Sequence, residues 1–173
     1  MKRRPPLLIW LLPLAYIVHD AEEFVTRQAW LAKHGVSLSQ WMRQVLGANP
    51  IMPIQTMSEA QVLRAMTVLL LVFVGVTAAF ATWRSQVPRI LFLIVLGAFF
   101  VHGIAHVAQA VVFGGYTPGV ATALVAVIPA SLLIYRQLSK AEPDSVRTTL
   151  ITAGIGALLI VPAILLAVAI GRA

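Results

Sequence analysis

The stretch ILFLIVLGAFFVHGIAHVAQAVVFGGYTPGVATALVAVIPASLLIY, residues 90–135, contains no aspartate, glutamate, lysine or arginine. A membrane-crossing helix needs roughly 20 apolar residues, so these 46 residues are long enough for two such helices. The glycine-rich segment 114–119 is the natural turn between them, with Thr117 as helix N-cap and Pro118 as the first helical residue. The stretch therefore predicts two antiparallel membrane helices, over about 88–113 and 118–135.

The composition extends this prediction to the whole chain. Of its 173 residues, 60% are hydrophobic and only 11% are charged, whereas about 25% of the residues of an ordinary soluble domain are charged. No linker divides the sequence, so we expect one domain over residues 1–173, with the fold of an all-α polytopic membrane helix bundle. Its five predicted transmembrane helices cover about 7–30, 57–83, 88–113, 118–135 and 148–170.

The segment between the first two spans predicts one short helix outside the membrane core. Ser37 can cap a helix that Gly47 ends, and the apolar face of this helix would lie in the membrane interface. That face consists of Leu38, Trp41, Met42, Val45 and Leu46. Further along, Thr56 and Glu59 form a T-x-x-E pattern, which predicts a capping box at the start of the second span.

Thirteen basic and six acidic residues give a net charge of +7. The basic residues stand at the ends of apolar segments and form no stripe, so we expect contact with the lipid bilayer and no nucleic-acid partner. With the N-terminus inside, the cytoplasmic side carries Lys2, Arg3, Arg4, Arg84, Arg89, Arg136, Lys140 and Arg147. The other side carries Arg27, Lys33, Arg43, Arg64 and Arg172. This excess predicts an N-in, C-out topology in the inner, cytoplasmic membrane.

Two groups of ionisable residues interrupt the apolar spans. His19, Glu22 and Glu23 stand at i, i+3 and i+4, so they share one helical face. His102 and His106 share a face of the third span in the same way. The first group lies roughly 18–24 Å along its span and the second roughly 21–27 Å, so the two faces match in depth. A buried carboxylate costs at least about 2.5–3.5 kcal/mol at the centre of a span, and a bound divalent ion would offset that cost.

The two faces together predict one metal site between the first and third spans. Because the chain has no cysteine, nitrogen and oxygen must supply the ligands. Zinc is the first choice, with iron or manganese as alternatives. We expect Glu22 to act as the catalytic general base on a water that the metal activates, and Asp20 and Gln109 to support the ligands from behind. The predicted ligands are His19, Glu23, His102 and His106.

A simpler interpretation explains the same residues without a metal. The acidic motif can be a helix end in water, where Glu23 pairs with Arg27 one turn later. His102 and His106 can be neutral histidines that form hydrogen bonds within the bundle, for example with Gln109. The two interpretations differ in whether the two faces meet.

His19-Asp20-Ala21-Glu22-Glu23 on the first of several spans resembles the motif of the HXXEE-domain family of small bacterial membrane proteins. The similarity extends to His102-Gly103-Ile104-Ala105-His106 and to the turn Tyr116-Thr117-Pro118-Gly119, so it covers nearly the whole chain. Members of that family are regarded as integral-membrane metalloproteins without an established substrate. The resemblance therefore implies a metal site in a bacterial inner-membrane protein, and it says little about the reaction.

The function we expect from these residues is that of a metal-dependent membrane enzyme. A hydrolase of a lipid, or of another small apolar substrate dissolved in the membrane, fits a zinc site with one position left for water. The first alternative is an oxidoreductase with a di-iron or di-manganese site, as other helix bundles carry. The second is a metal or proton carrier without catalytic activity, because ionisable groups inside a membrane often mark ion pathways.

Overall fold

The computed structural model describes residues 7–48, 55–83, 85–141 and 145–173. The described residues are 90% helical and contain no strand. Within these ranges five helices follow one another, which we number α1 to α5. They are α1 (Leu11–Leu46), α2 (Glu59–Thr82), α3 (Gln86–Val112), α4 (the consecutive segments Val120–Thr122, Ala123–Val127 and Ile128–Ala141) and α5 (Ser145–Arg172).

Helix α1 is one continuous helix of 36 residues, preceded by a 3₁₀ turn at Leu7–Trp10. The prediction of a separate interfacial helix capped by Ser37 is therefore wrong. A single glycine costs a helix only about 0.5–1 kcal/mol, so Gly35 does not end α1, and the buried face continues from Trp30 to Leu38. Gly47 does end the helix, as predicted, because its φ of 70° lies in the left-handed region.

The cap of α2 differs from the predicted one. Ser58 is the N-cap, and its hydroxyl accepts a hydrogen bond from the Gln61 backbone N–H at 3.3 Å. The Gln61 side chain accepts one in return from the Ser58 N–H at 3.0 Å. The sequence contains two overlapping capping patterns, Thr56 with Glu59 and Ser58 with Gln61. Because α2 begins at Glu59, the second pattern is the one that stands at the helix start. The predicted box of Thr56 and Glu59 is wrong.

Helix α4 also begins later than predicted. Gly119 is its N-cap, with a φ of 83°, and Thr117 instead closes a turn through its carbonyl, which accepts a hydrogen bond from the Val120 N–H at 3.1 Å. The predicted cap at Thr117 with Pro118 in the first turn is therefore wrong. The segment Ala123–Val127 is π-helical and lies just before Pro129, which has no N–H to give to a regular helical ladder. The helix then runs beyond residue 135 to Ala141.

Four of the described helices are long and apolar enough to cross a membrane. Helix α1 is not among them, because charged residues interrupt its apolar run, so the predicted count of five spans is confirmed only for four. The four segments are Glu59–Thr82, Gln86–Val112, Val120–Lys140 and Arg147–Arg172.

The described helices are held together by two apolar clusters and by close packing of α5 on α3 and on α2. Helices α3 and α5 pack closely at glycines: a Cβ on Gly156 would stand 2.3 Å from the Ile94 carbonyl oxygen and one on Gly97 would stand 2.4 Å from the Ala153 Cα. Helix α1 lies against α2 and the first half of α4. The main cluster joins α1 to α2, α3 and α4 through Leu12, Tyr16, Phe73, Phe92, Leu96, Phe99, Val127 and Ile134.

Candidate metal site

Directly beyond this apolar cluster, α1 and α3 bring four possible metal ligands together. Helix α1 contributes His19 and Glu23, and α3 contributes His102 and His106, in each case from positions one turn apart. Each residue offers one ligand atom, and these four atoms all lie within 4.8 Å of one another. The two predicted faces therefore meet.

The distances within this four-residue group are short. The Nε2 atom of His106 lies 2.9 Å from Glu23 Oε1 and 3.0 Å from His102 Nε2. The Nε2 atom of His19 lies 3.9 Å from the same Glu23 oxygen. The three imidazole rings have centroids 4.4–5.1 Å apart and meet edge to face. The three rings and the Glu23 carboxylate thus form one compact group.

Three imidazole nitrogens and one carboxylate oxygen are a donor set that suits zinc, iron or manganese. Ligand atoms about 2.0–2.2 Å from one ion can be at most about 4.4 Å apart. The largest separation here, 4.8 Å, needs only a small side-chain rotation to reach that limit. His19 supports the fit, since its Nε2 is buried and has no hydrogen-bond partner among the described residues. These residues could therefore hold one divalent ion.

The group is covered by the turn before α4. His19 is fully buried and His106 is 8% exposed, whereas the Glu23 side chain is 23% exposed. Gly119 lies directly on the rings, because a Cβ at this position would stand 2.8 Å from His19 Cε1 and 3.0 Å from His106 Nδ1. The close contact with the rings and the positive φ thus both favour glycine at this position. The Pro118 carbonyl is also close to the His106 ring.

Glu22 lies outside the four-residue group, although it precedes Glu23. Its Oε1 accepts hydrogen bonds from the Tyr116 hydroxyl at 2.6 Å and the Ala121 N–H at 3.3 Å. Its Oε2 accepts one from the Thr122 N–H at 2.7 Å and one from the Thr122 hydroxyl. Partial burial and then the bond to Glu22 raise the pKa of the Tyr116 phenol, which keeps it a donor. Both Glu22 oxygens are therefore engaged with the turn and the first turn of α4.

The remaining predicted residues have other neighbours. Asp20 lies beside Tyr16 on α1 and close enough to Glu23 for the two charges to interact. No hydrogen bond within the described chain joins the Gln109 side chain to the group. Arg27 donates a hydrogen bond to the Met57 carbonyl at 3.3 Å and interacts electrostatically with Glu59 and then with Glu23. Glu23 itself is held against His106.

Sequence reasoning missed two residues of the site. Thr122 forms a 3.0 Å hydrogen bond with His19 Nδ1, and Gly119 packs on the rings. Tyr116 was noted only as part of a turn. One local pattern could have pointed to them, because Gly119 and Thr122 are three residues apart at the start of a span and the turn follows His106 by about ten residues.

The architecture and this group define the chain as an all-helical protein with membrane-type helices and a His/Glu cluster that could hold a metal. The family model described as "Protein of unknown function with HXXEE motif" matches residues 10–134. The chain therefore belongs to the HXXEE family. No curated protein and no solved structure matches the chain.

Proposed function

We propose that this protein is an integral-membrane metalloenzyme that binds one divalent ion, with zinc as first choice, and hydrolyses a lipid or another membrane-dissolved substrate. The observation that carries the proposal is the convergence of three imidazole nitrogens and one carboxylate oxygen within 4.8 Å. Such a group is costly inside a membrane unless a partner compensates it. A divalent cation would be that partner.

A single ion fits better than two. Sites with two iron or manganese ions in helix bundles use several carboxylates, some of which bridge the metals. Here Glu23 is the one carboxylate of the four-residue group. Glu22 is already engaged by four hydrogen bonds, and Asp20 lies beside Tyr16. This arrangement favours the hydrolase over the oxidoreductase.

The roles we assign follow from the type of donor atom, and for Glu23 also from its exposure. His19, His102 and His106 are the permanent ligands, since three imidazoles leave one position open for water. Glu23 is the exchangeable ligand, because its side chain is more exposed than those of His19 and His106. A bound divalent ion would supply Lewis acidity and would lower the pKa of a water molecule towards about 7. Glu23, the one carboxylate of the four-residue group, would accept the proton.

The sequence predicted Glu22 as the catalytic general base. The hydrogen bonds of its carboxylate lead us to assign it a supporting role instead. All four hydrogen bonds of its carboxylate point to the turn and to α4 rather than towards the four-residue group. A base must reach the proton that it takes, at about 2.6–3.2 Å or through one water. We therefore propose that Glu23 takes the proton and that Glu22 supports the site.

A site inside the membrane would favour an apolar substrate. The 36 residues of α1 extend over about 54 Å, more than the roughly 30 Å of a bilayer core. We propose that α1 supplies the fifth span and extends beyond the membrane, with the N-terminus inside and the C-terminus outside. His102 and His106 then lie in the outer half of α3. A substrate dissolved in the bilayer would reach them between the helices.

Metal analysis of the protein purified in detergent tests the first half of the proposal. We expect about one zinc ion per chain by elemental mass spectrometry, and a zinc-dependent rise in melting temperature. A ligand present at 100 times its Kd stabilises a folded protein by about 2.7 kcal/mol. Protein that takes up no zinc, iron or manganese would exclude the metal site, and two irons per chain would favour the oxidoreductase.

The second half needs an activity measurement. The zinc-loaded protein is reconstituted in vesicles of phosphatidylethanolamine and phosphatidylglycerol, with a long-chain p-nitrophenyl ester as a second probe. We expect hydrolysis products by mass spectrometry or absorbance, and we expect their loss in Glu23→Gln, which keeps its metal. If the zinc-loaded wild type forms no more product than the His106→Ala variant, the protein is not a hydrolase of these substrates. The proposed metal site would not be affected by that result.

A further inference from the structure

We infer that Thr122, held in place by Glu22, is a positioning residue that keeps His19 protonated on Nδ1 and presents the free Nε2 lone pair to the metal. This inference rests on the proposed metal site. It deepens that proposal by assigning two residues that touch neither the ion nor the substrate.

The direction of each hydrogen bond carries the argument. The Thr122 hydroxyl has one hydrogen and two lone pairs. It lies 2.5 Å from Glu22 Oε2 and 3.3 Å from the Gly119 carbonyl, and both of these oxygens are acceptors. The shorter contact takes the hydrogen. A lone pair of Thr122 Oγ1 is then directed at His19 Nδ1, 3.0 Å away, so the proton of that bond must be on Nδ1.

The tautomer of His19 follows from this bond. A neutral imidazole protonated on Nδ1 has its lone pair on Nε2. That atom is buried, has no hydrogen-bond partner among the described residues, and faces the Glu23 oxygen at 3.9 Å. Metal-bound histidines commonly donate their other ring N–H in this way, which fixes the ring and the tautomer. His19 thus has the hydrogen bonding of a histidine that is ready to bind a metal through Nε2.

Glu22 determines where Thr122 lies. Its carboxylate accepts from the backbone N–H groups of Ala121 and Thr122, which are free donors in the first turn of a helix. Gly119, the N-cap of α4, has no side chain to satisfy them. A residue of α1 therefore caps α4 and directs the Thr122 hydroxyl at the same time. In this way the side chain next to the ligand Glu23 orients the ligand His19.

Substitution of Thr122 separates this role from a purely structural one. Thr122→Val keeps the shape and removes the hydroxyl, and loss of such a partner of a ligand lowers metal affinity by about 10–100-fold. Thr122→Ser keeps the hydroxyl and should bind zinc like the wild type. Thr77→Val is the control, since Thr77 is a buried threonine of α2 whose hydroxyl donates to the Phe73 carbonyl, away from the four-residue group. Zinc affinity is measured by competition with a chelator in detergent.

A second measurement reads the tautomer directly in metal-free protein. The ¹⁵N chemical shifts of labelled histidine, assigned by the loss of the signal in His19→Gln, should show Nδ1 protonated in the wild type and in Thr122→Ser. The Thr122→Val variant should show a mixture of both tautomers. Glu22→Gln has one acceptor oxygen in place of two and should give an intermediate mixture and affinity.

The outcomes of the two proposals can be told apart. Wild-type protein that binds no metal contradicts the proposed function, and the tautomer measurement still tests the role of Thr122 in that case. Wild-type His19 with its proton on Nε2 would overturn the inference. So would a zinc affinity in Thr122→Val equal to that of Thr77→Val, because Thr122 would then serve only to cap and pack α4.

Discussion

The contact between α1 and α3 has two halves, which lie about one helical turn apart along the two helices. In one half, Leu12 and Tyr16 of α1 belong to the same buried cluster as Leu96 and Phe99 of α3. In the other half, three histidines and a glutamate replace these apolar groups, and the His19 and Phe99 rings meet edge to face with centroids 6.0 Å apart. The same two helices thus present an apolar interface and a polar one side by side.

The two halves differ in whether their buried polar atoms have hydrogen-bond partners. In the apolar half the Tyr16 hydroxyl donates to the Met66 carbonyl at 3.0 Å, as a buried polar group in a membrane should. In the polar half, His19 Nε2 has no partner among the described residues. An unpaired atom alone is not diagnostic, because within the described part of the chain the Ser131 and Tyr135 hydroxyls also lack a hydrogen-bond partner. The distinguishing feature is that four possible ligand atoms lie within 4.8 Å of one another.

The largest expected effect is the loss of metal when a histidine of the group is removed. His106→Ala and His102→Ala should purify with less than about a tenth of the wild-type zinc, because even a residue behind the ligands is worth 10–100-fold in affinity. Elemental analysis gives the metal content. His34→Ala is the control: His34 stacks on Trp30 away from the group, so it should keep its zinc. Equal zinc in all three variants would contradict the assigned ligands.

The apolar half should show the opposite pattern. Leu96 is fully buried, and its replacement by alanine should lower the free energy of unfolding by about 2–5 kcal/mol without changing zinc affinity. Leu91→Ala on the same helix is the control, because Leu91 is 47% exposed and should cost much less. Stability is measured by denaturation in mixed micelles. A large loss of zinc affinity in Leu96→Ala would show that the two halves are not independent.

Gly119→Ala tests the close contact of the turn with the rings. The left-handed φ of 83° should cost about 1–2 kcal/mol with alanine, and the added Cβ at 2.8 Å would displace His19. We expect reduced zinc affinity. Gly114→Ala is a matched control, since Gly114 has a φ of 64° and open space around it. It should show a similar loss of stability and unchanged zinc binding. Equal affinity in both variants would place Gly119 outside the site.

The sequence predicted the meeting of the two faces because helical geometry decides it. Residues four apart are 40° apart around a helix, so Glu23 lies closer to the His19 direction than Glu22 does, and the structure brings Glu23 to the group. The bounds of α3, Gln86–Val112, also agree with the predicted 88–113 within two residues. These features depend on spacing and on apolar runs within one segment.

The partners of Glu22 were not predictable in the same way. Its four hydrogen bonds go to residues 94–100 positions later in the chain, and no local rule selects such partners. The predicted cap of α4 was wrong for the same reason. Thr117 is the better local cap, but Glu22 of α1 supplies the acceptor, and Gly119 is the residue that fits against the rings. Tertiary contacts therefore decided the details that local propensity left open.

The smallest expected effect is that of Arg27, and it decides between the metal and the solvated ion pair as the partner of Glu23. Arg27 follows Glu23 by one turn, but Glu23 lies 2.9 Å from His106 and Arg27 donates to the Met57 carbonyl. Arg27→Ala should therefore cost less than about 1 kcal/mol, as partly exposed charge interactions usually do, and should keep its zinc. Arg64→Ala, an exposed arginine on α2, sets the background. If Arg27→Ala instead unfolds the bundle as readily as Glu23→Ala while the histidine variants keep their stability, the carboxylate belongs to an ion pair and the polar half of the α1–α3 contact holds no metal.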